Sequence, residues 1–204
     1  MYVPRHNQLE DRAALLAYMR AYSFAALASA GPGGLMATHL PFVIEEQDGE
    51  ITLLAHMAKA NPQWRDFAAG AEAMVIFMQP HAYVSPRLYD SRQNVPTWNY
   101  VAVHAYGRPA LIEERAAKLA LQEKLIRQHD ADYLAQMAEL PASYIDAKLA
   151  AIVSFSLAVT RIEARYKLSQ DKNPAERERI ARELEASGDS VAAETARLMR
   201  EYKP

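Results

Sequence analysis

Three runs of the chain are Phe24-Ala25-Ala26-Leu27-Ala28-Ser29, Leu35-Met36-Ala37-Thr38-His39-Leu40-Pro41-Phe42-Val43-Ile44 and Glu50-Ile51-Thr52-Leu53-Leu54-Ala55-His56-Met57. They are separated only by short segments that carry Gly31-Pro32-Gly33-Gly34 and Asp48-Gly49. Each run is apolar and about as long as a strand. Gly-Pro-Gly-Gly marks a turn and Asp-Gly a two-residue hairpin, because glycine adopts the required backbone angles without strain. Strands in hairpin order predict an antiparallel sheet. Pro41 donates no N–H, which places the second run at an edge or at a bulge.

Outward from this core, a first helix is expected from roughly Gln8 to Ala21, with Asn7 and Glu10 at capping-box spacing. After the third run, Asn61-Pro62 predicts a short helix with Asn as cap and Pro at the first position, ending near Gly70. Ala73 to Met78 reads as a fourth strand, Pro80 to Pro96 as a loop, and Trp98 to Ile112 as a long fifth strand with a bulge at Gly107. Glu113 to Gln136 and Pro141 to Ala147 are helical, and Ala151 to Leu168 alternates as a half-buried strand. Two tail helices follow, one opened by Asn173-Pro174 and closed by Gly188, the other capped by Ser190. About six strands with few helices between them predict a mainly β, α+β chain: an antiparallel barrel with peripheral helices.

The chain has 204 residues, a formal net charge of −2 and no cysteine. Disulfides, thiolate catalysis and Cys-ligated metal are excluded. The charge gives no general attraction to nucleic acid. Met1 to Asn7 lacks the apolar core of a signal peptide, and no run approaches the ~18 apolar residues of a membrane span, so a cytoplasmic chain is expected.

Chemistry concentrates in a few words. Val95-Pro96-Thr97-Trp98-Asn99-Tyr100-Val101-Ala102-Val103-His104-Ala105-Tyr106-Gly107 combines aromatic rings with hydrogen-bonding groups, as a flat polar ligand requires. Lys59 before the helix start at Asn61-Pro62 makes a candidate phosphate site, against the plainer reading of a strand-to-helix turn. His39, His56, His81 and His104 stand in four segments without metal-ligand spacing, so no metal site is expected. No nucleophile elbow, P-loop or dinucleotide fingerprint occurs.

Several words in order resemble the PaiB-like family, the FMN-binding negative transcriptional regulators. They are Met1-Tyr2-Val3-Pro4, Thr38-His39-Leu40-Pro41-Phe42, His56-Met57-Ala58, Ala60-Asn61-Pro62-Gln63-Trp64, Pro80 to Pro86, Val95 to Tyr100 and Lys167-Leu168-Ser169-Gln170. Leu88 and Asp171 depart from it, standing where the family usually has Trp and Asn. The resemblance implies an FMN-binding split β-barrel that forms a homodimer with flavin between the subunits. It implies a phosphate end at Lys59 and Asn61 with Thr38, and ring and ribityl contacts from His39, Pro41, His56, Gln63, Trp98 and Asn99. Lys167, Ser169 and Gln170 would close the site. Residues 1–170 would form the barrel domain, with inserted helices around 113–148, and 171–204 a helical tail on the barrel or on a partner subunit.

The function so implied is negative transcriptional regulation. Neither charge nor motif supports direct DNA contact, so a protein partner or a small-molecule ligand would carry the signal. The alternatives are a flavin-dependent oxidoreductase or flavin reductase, and a haem-binding split barrel with His39, His56 or His81 as axial ligand.

Overall fold

The computed structural model describes residues 1–202; residues 203–204 of the expected tail lie outside the described residues. The elements run α1 (Arg12–Ala21), β1 (Phe24–Gly31), β2 (Gly34–Pro41), β3 (Val43–Gln47), β4 (Glu50–Ala58), α2 (Trp64–Ala68) and β5 (Ala73–Val84). They continue with β6 (Thr97–Ile112), α3 (Arg115–His129), α4 (Tyr133–Ala138), α5 (Ala142–Ala150), β7 (Ile152–Lys167), α6 (Pro174–Ala186) and α7 (Ser190–Glu201). The sheet order is β2-β1-β5-β6-β7-β4-β3, with antiparallel pairing of β1 to β2 and β5, and of β4 to β3 and β7. The mainly β architecture with peripheral helices is as the hairpin order predicts.

Seven strands replace the expected six because the second run breaks at Phe42. Pro41 ends β2, an edge strand, and the Phe42 amide donates to the Ser23 carbonyl at 2.9 Å. The Phe42 ring is then fully buried, 6.1 Å from Phe77 and 6.4 Å from Phe155. Asp48 and Gly49, with φ of 52° and 83°, turn β3 into β4 as the Asp-Gly pair requires.

Four further expectations are corrected. Helix α1 starts at Arg12, because Asp11 rather than Asn7 caps it, accepting from Ala13 and Ala14 amides at 2.9 and 3.2 Å. Strand β5 runs on through Pro80 to Val84; β1 pairs only with Ala73–Ile76, so the missing proline N–H falls beyond that ladder. The long helix ends at His129, and α4 is separate. Asp189, not Ser190, caps α7, accepting from the Val191 amide.

The chain forms two compact units. One comprises 16–77 and 104–162; the other comprises 1–15, 78–103 and 163–204. In the first, the four phenylalanines Phe42, Phe67, Phe77 and Phe155 sit in the core, and Leu121 and Leu125 of α3 pack on Leu54. Lys118 fixes α3 by donating to the Leu149 and Ile152 carbonyls at 2.6 and 3.1 Å. In the second, Ile180, Leu184, Ala196 and Met199 of α6 and α7 are buried. Arg177 ties them to their own chain, donating to the carbonyls of Leu168, Met199 and Tyr202 at 3.3, 2.7 and 3.1 Å. Among the described residues no helix is long and apolar enough to cross a membrane.

Candidate functional site

In the unit of 16–77 and 104–162, Thr38, Asn61 and Gln63 meet. Asn61 Nδ2 donates to Thr38 Oγ1 at 2.9 Å, and Thr38 Oγ1 donates to Gln63 Oε1 at 2.5 Å. Gln63 is fully buried; its Nε2 reaches the Leu27 carbonyl, Ser29 Oγ and the Met36 carbonyl at 3.0, 3.1 and 3.3 Å. Gln63 therefore knits β1 and β2 to the β4–α2 turn and offers no surface to a ligand.

Helix α2 begins at Trp64, two residues later than Asn61-Pro62 predicts. The Asn61 side chain accepts from the Gln63 amide at 3.0 Å and forms a turn rather than a helix cap. Lys59 and Asn61 amides are also taken, by the Ala151 and Ala58 carbonyls, both at 2.9 Å. Backbone donors are thus engaged, and what remains for an anion is the exposed Lys59 ammonium with the second N–H of Asn61.

Alternation along β2 puts Thr38 and His39 on opposite faces. His39 is exposed and lies 6.4 Å from the exposed Phe24 ring, at 21° between planes. Pro41 stands opposite Phe24 in the register of β1 and β2. His56 is elsewhere: it shares a face with Leu54, the face covered by α3. It stands opposite Ser154, and both His56 Nδ1 and Ser154 Oγ are buried without a hydrogen-bond partner. Burial lowers the His56 pKa, which favours the neutral ring.

In the other unit, Trp98 is 51% exposed, with His81 and Tyr83 edge-on to it at 5.7 and 6.0 Å. Lys167 lies alongside, donating to Thr97 Oγ1 and, at 2.7 Å, to the Trp98 carbonyl. Burial, and then the charge of Arg165, hold its ammonium below the usual lysine value. Asn99 and Ser169 are buried and exchange hydrogen bonds at 2.9 and 3.1 Å. Ser169 has φ of 59°, and Gln170 Oε1 closes the same turn on the Leu168 amide at 2.7 Å.

Sequence reasoning had therefore grouped two kinds of residue. Thr38, His39, Pro41, Lys59, Asn61, Trp98, Lys167 and Gln170 keep some exposure, whereas Gln63, Asn99 and Ser169 are interior. It missed Asn7 and Tyr89, which line a cavity with the Lys167–Lys172 segment. Their signal, an Asn and a Tyr in otherwise polar loops, is weak until a structure shows them buried.

The model of the family described as "Putative FMN-binding domain" matches residues 1–161. Among curated proteins, Protease synthase and sporulation protein PAI 2 of Bacillus subtilis is 34% identical over 98% of this chain and 97% of its own length. Protein AN0679 of Emericella nidulans is 27% identical over 82% of each. Among solved structures, the FAD and haem binding protein of Mycobacterium smegmatis has a TM-score of 0.63 at 19% identity, covering 90% of this chain and 80% of that one. The flavocytochrome Anf3 of Azotobacter vinelandii has 0.64 at 17% identity, covering 81% and 72%. At those identities the two structures show a shared fold, the split barrel of flavin-binding proteins.

Proposed function

This chain belongs to that FMN-binding domain family, with FMN as cofactor, and we propose that it is a dimeric cytoplasmic flavoprotein that represses gene expression. The observation that carries the cofactor part is Trp98: a large ring, half-exposed, framed edge-on by His81 and Tyr83. Such a ring is suited to stacking on a flat heterocycle. Lys59 and the free N–H of Asn61 suit a phosphate, held in place by Thr38, with Gln63 behind them as a positioning residue. His39 and Pro41 add exposed surface beside Phe24. Asn99, Ser169, Gln170 and Lys167 position the start of β6, and His56 supports the sheet beneath α3. Bound FMN supplies redox chemistry at its ring; the chain binds, orients and shields it. Residues 1–170 form the cofactor-binding part and 171–204 the helical tail, with FMN between subunits in the dimer.

The regulatory part is supported by the Bacillus subtilis relative, whose name speaks of protease synthesis and sporulation rather than of a substrate. We read the regulation as indirect, through a protein partner or a small molecule. The tail arginines are matched by acids: Arg200 to Glu178 and Glu185, Arg197 to Glu194 and Glu201, Arg179 to Asp90. A helix pair neutralised in this way presents little cationic surface to a phosphate backbone.

The test is titration of the purified chain with FMN, followed by flavin fluorescence, with riboflavin as control. Saturation at one FMN per chain is expected, and absence of saturable binding refutes the cofactor site. Trp98→Ala should weaken FMN by about 1–3 kcal/mol, the range for losing a stacking platform; unchanged affinity in a folded variant removes Trp98 from the site. Lys59→Ala should weaken FMN more than riboflavin, because only FMN carries the phosphate. Equal losses would place the phosphate elsewhere. Rapid reduction of the bound flavin by NADPH would favour the reductase alternative over a regulator.

A further inference from the structure

The unit of 1–15, 78–103 and 163–204 contains a cavity of about 220 Å³. It is lined by Asn7, Tyr89, Thr97, Lys167, Ser169 and Lys172, among others. Two of these side chains are more than nine-tenths buried and carry polar atoms with no hydrogen-bond partner: Asn7 Oδ1 and the Tyr89 hydroxyl, in residues 3% and 8% exposed. A buried polar group left unpaired costs about 1–3 kcal/mol, so two in one small cavity are not expected of mere packing.

We propose that this cavity is a second ligand site, built for a small hydroxy- or amino-carboxylate and separate from the flavin platform. Its volume of about 220 Å³ falls below the roughly 300–1,000 Å³ of pockets for drug-sized ligands, which suits a small occupant. Its polar groups specify the occupant. Lys167 donates two of its three N–H groups, to Thr97 Oγ1 and the Trp98 carbonyl, both neutral oxygens. The third N–H remains for an anion; Asp171, in the same lining, offsets part of the Lys167 charge but is itself paired with Lys172. Lys172, by contrast, is paired with Asp171 at 3.1 Å and sits 4.6 Å from the Tyr89 ring centroid. Tyr89 has its hydroxyl pKa raised, chiefly by burial, so it stays protonated and donates a second hydrogen bond to a carboxylate. Asn7 Oδ1 only accepts, so the other end of the ligand must bring a donor, a hydroxyl or an ammonium.

Occupancy has a route to the platform within the same unit. A carboxylate on Lys167 pulls on the ammonium that holds the Trp98 carbonyl, and Ser169 in the same lining holds Asn99. The occupant would therefore act as an effector or a second substrate.

The experiment uses the full chain, titrated by calorimetry with L-lactate, L-serine, propionate and inorganic phosphate, with FMN titrated in a separate arm. Lactate or serine should saturate, and propionate, which lacks the donor, should bind about tenfold more weakly, the loss of one hydrogen bond. Tyr89→Phe should lose about tenfold in lactate or serine affinity while FMN affinity is unchanged, since Tyr89 is not among the proposed flavin contacts. The ligand-free Tyr89→Phe chain should unfold at the same or a higher temperature, because the deleted hydroxyl has no partner to lose. No saturable binding of lactate or serine overturns the proposal, as does equal affinity in Tyr89→Phe or tighter binding of phosphate than of either. Failure of FMN to bind while lactate or serine does overturns the flavin assignment alone.

Discussion

Gly107→Ala is expected to destabilise the chain by about 3 kcal/mol, the upper end of the range for overpacking a close contact. A Cβ at Gly107 would lie 2.2 Å from the Ala158 carbonyl oxygen and 2.8 Å from Leu157 Cδ2. The first contact is with backbone of β7, which cannot rotate away as a side-chain tip can. Gly107, where the sequence leads one to expect a bulge, lies within β6 at a close approach to β7. For a chain of this size the loss should lower the unfolding midpoint by roughly 6–12 °C. Thermal unfolding measured by circular dichroism decides it, and a midpoint within about 2 °C of the parent would mean the two strands separate without cost.

The second large effect is Gln63→Leu. The side chain is similar in size, so little cavity forms, but its amide leaves Thr38 Oγ1, Ser29 Oγ and the Leu27 and Met36 carbonyls with one partner fewer. Ser29 retains Asp66 at 3.0 Å, so the cost falls mainly on the other three. About 3 kcal/mol of stability should go, with FMN affinity falling as well because Thr38 and Asn61 lose their anchor. A double-mutant cycle with Thr38→Val separates the two effects: coupling of about 1 kcal/mol is expected for contacting residues. Additive losses would show that Gln63 and Thr38 act independently.

The hairpins were legible because their information is local. Asp48 and Gly49 carry a turn whatever surrounds them, and the apolar runs on either side fall into place. The break at Phe42 is not local. It depends on a ring buried against Phe77 and Phe155, more than thirty and one hundred residues away in sequence. The sequence reading ends this strand at Met78, before Pro80, and only the register with β1 shows that its ladder has already ended there. In the candidate site, Thr38, Asn61 and Gln63 come together in one hydrogen-bond network. That Gln63 faces inward could not be read, because two of its partners are backbone carbonyls, which every sequence has. His56 could have been placed better. It is two residues from Leu54, and period-two alternation already puts both on one face.

The interleaving of the two units bears on how the chain is made. Residues 78–103 share a unit with 1–15 and with 163–204, whereas 16–77 and 104–162 make up the other unit. At a synthesis rate of about 5–20 residues per second, the sixty residues between 103 and 163 take roughly 3–12 s to translate. For that interval the segment bearing His81, Tyr83, Tyr89 and Trp98 is made but lacks the 163–204 part of its unit. Nascent chains would then be most vulnerable to aggregation and most dependent on chaperones in this window, and slowing translation after residue 103 should lower soluble yield more than slowing it after 163.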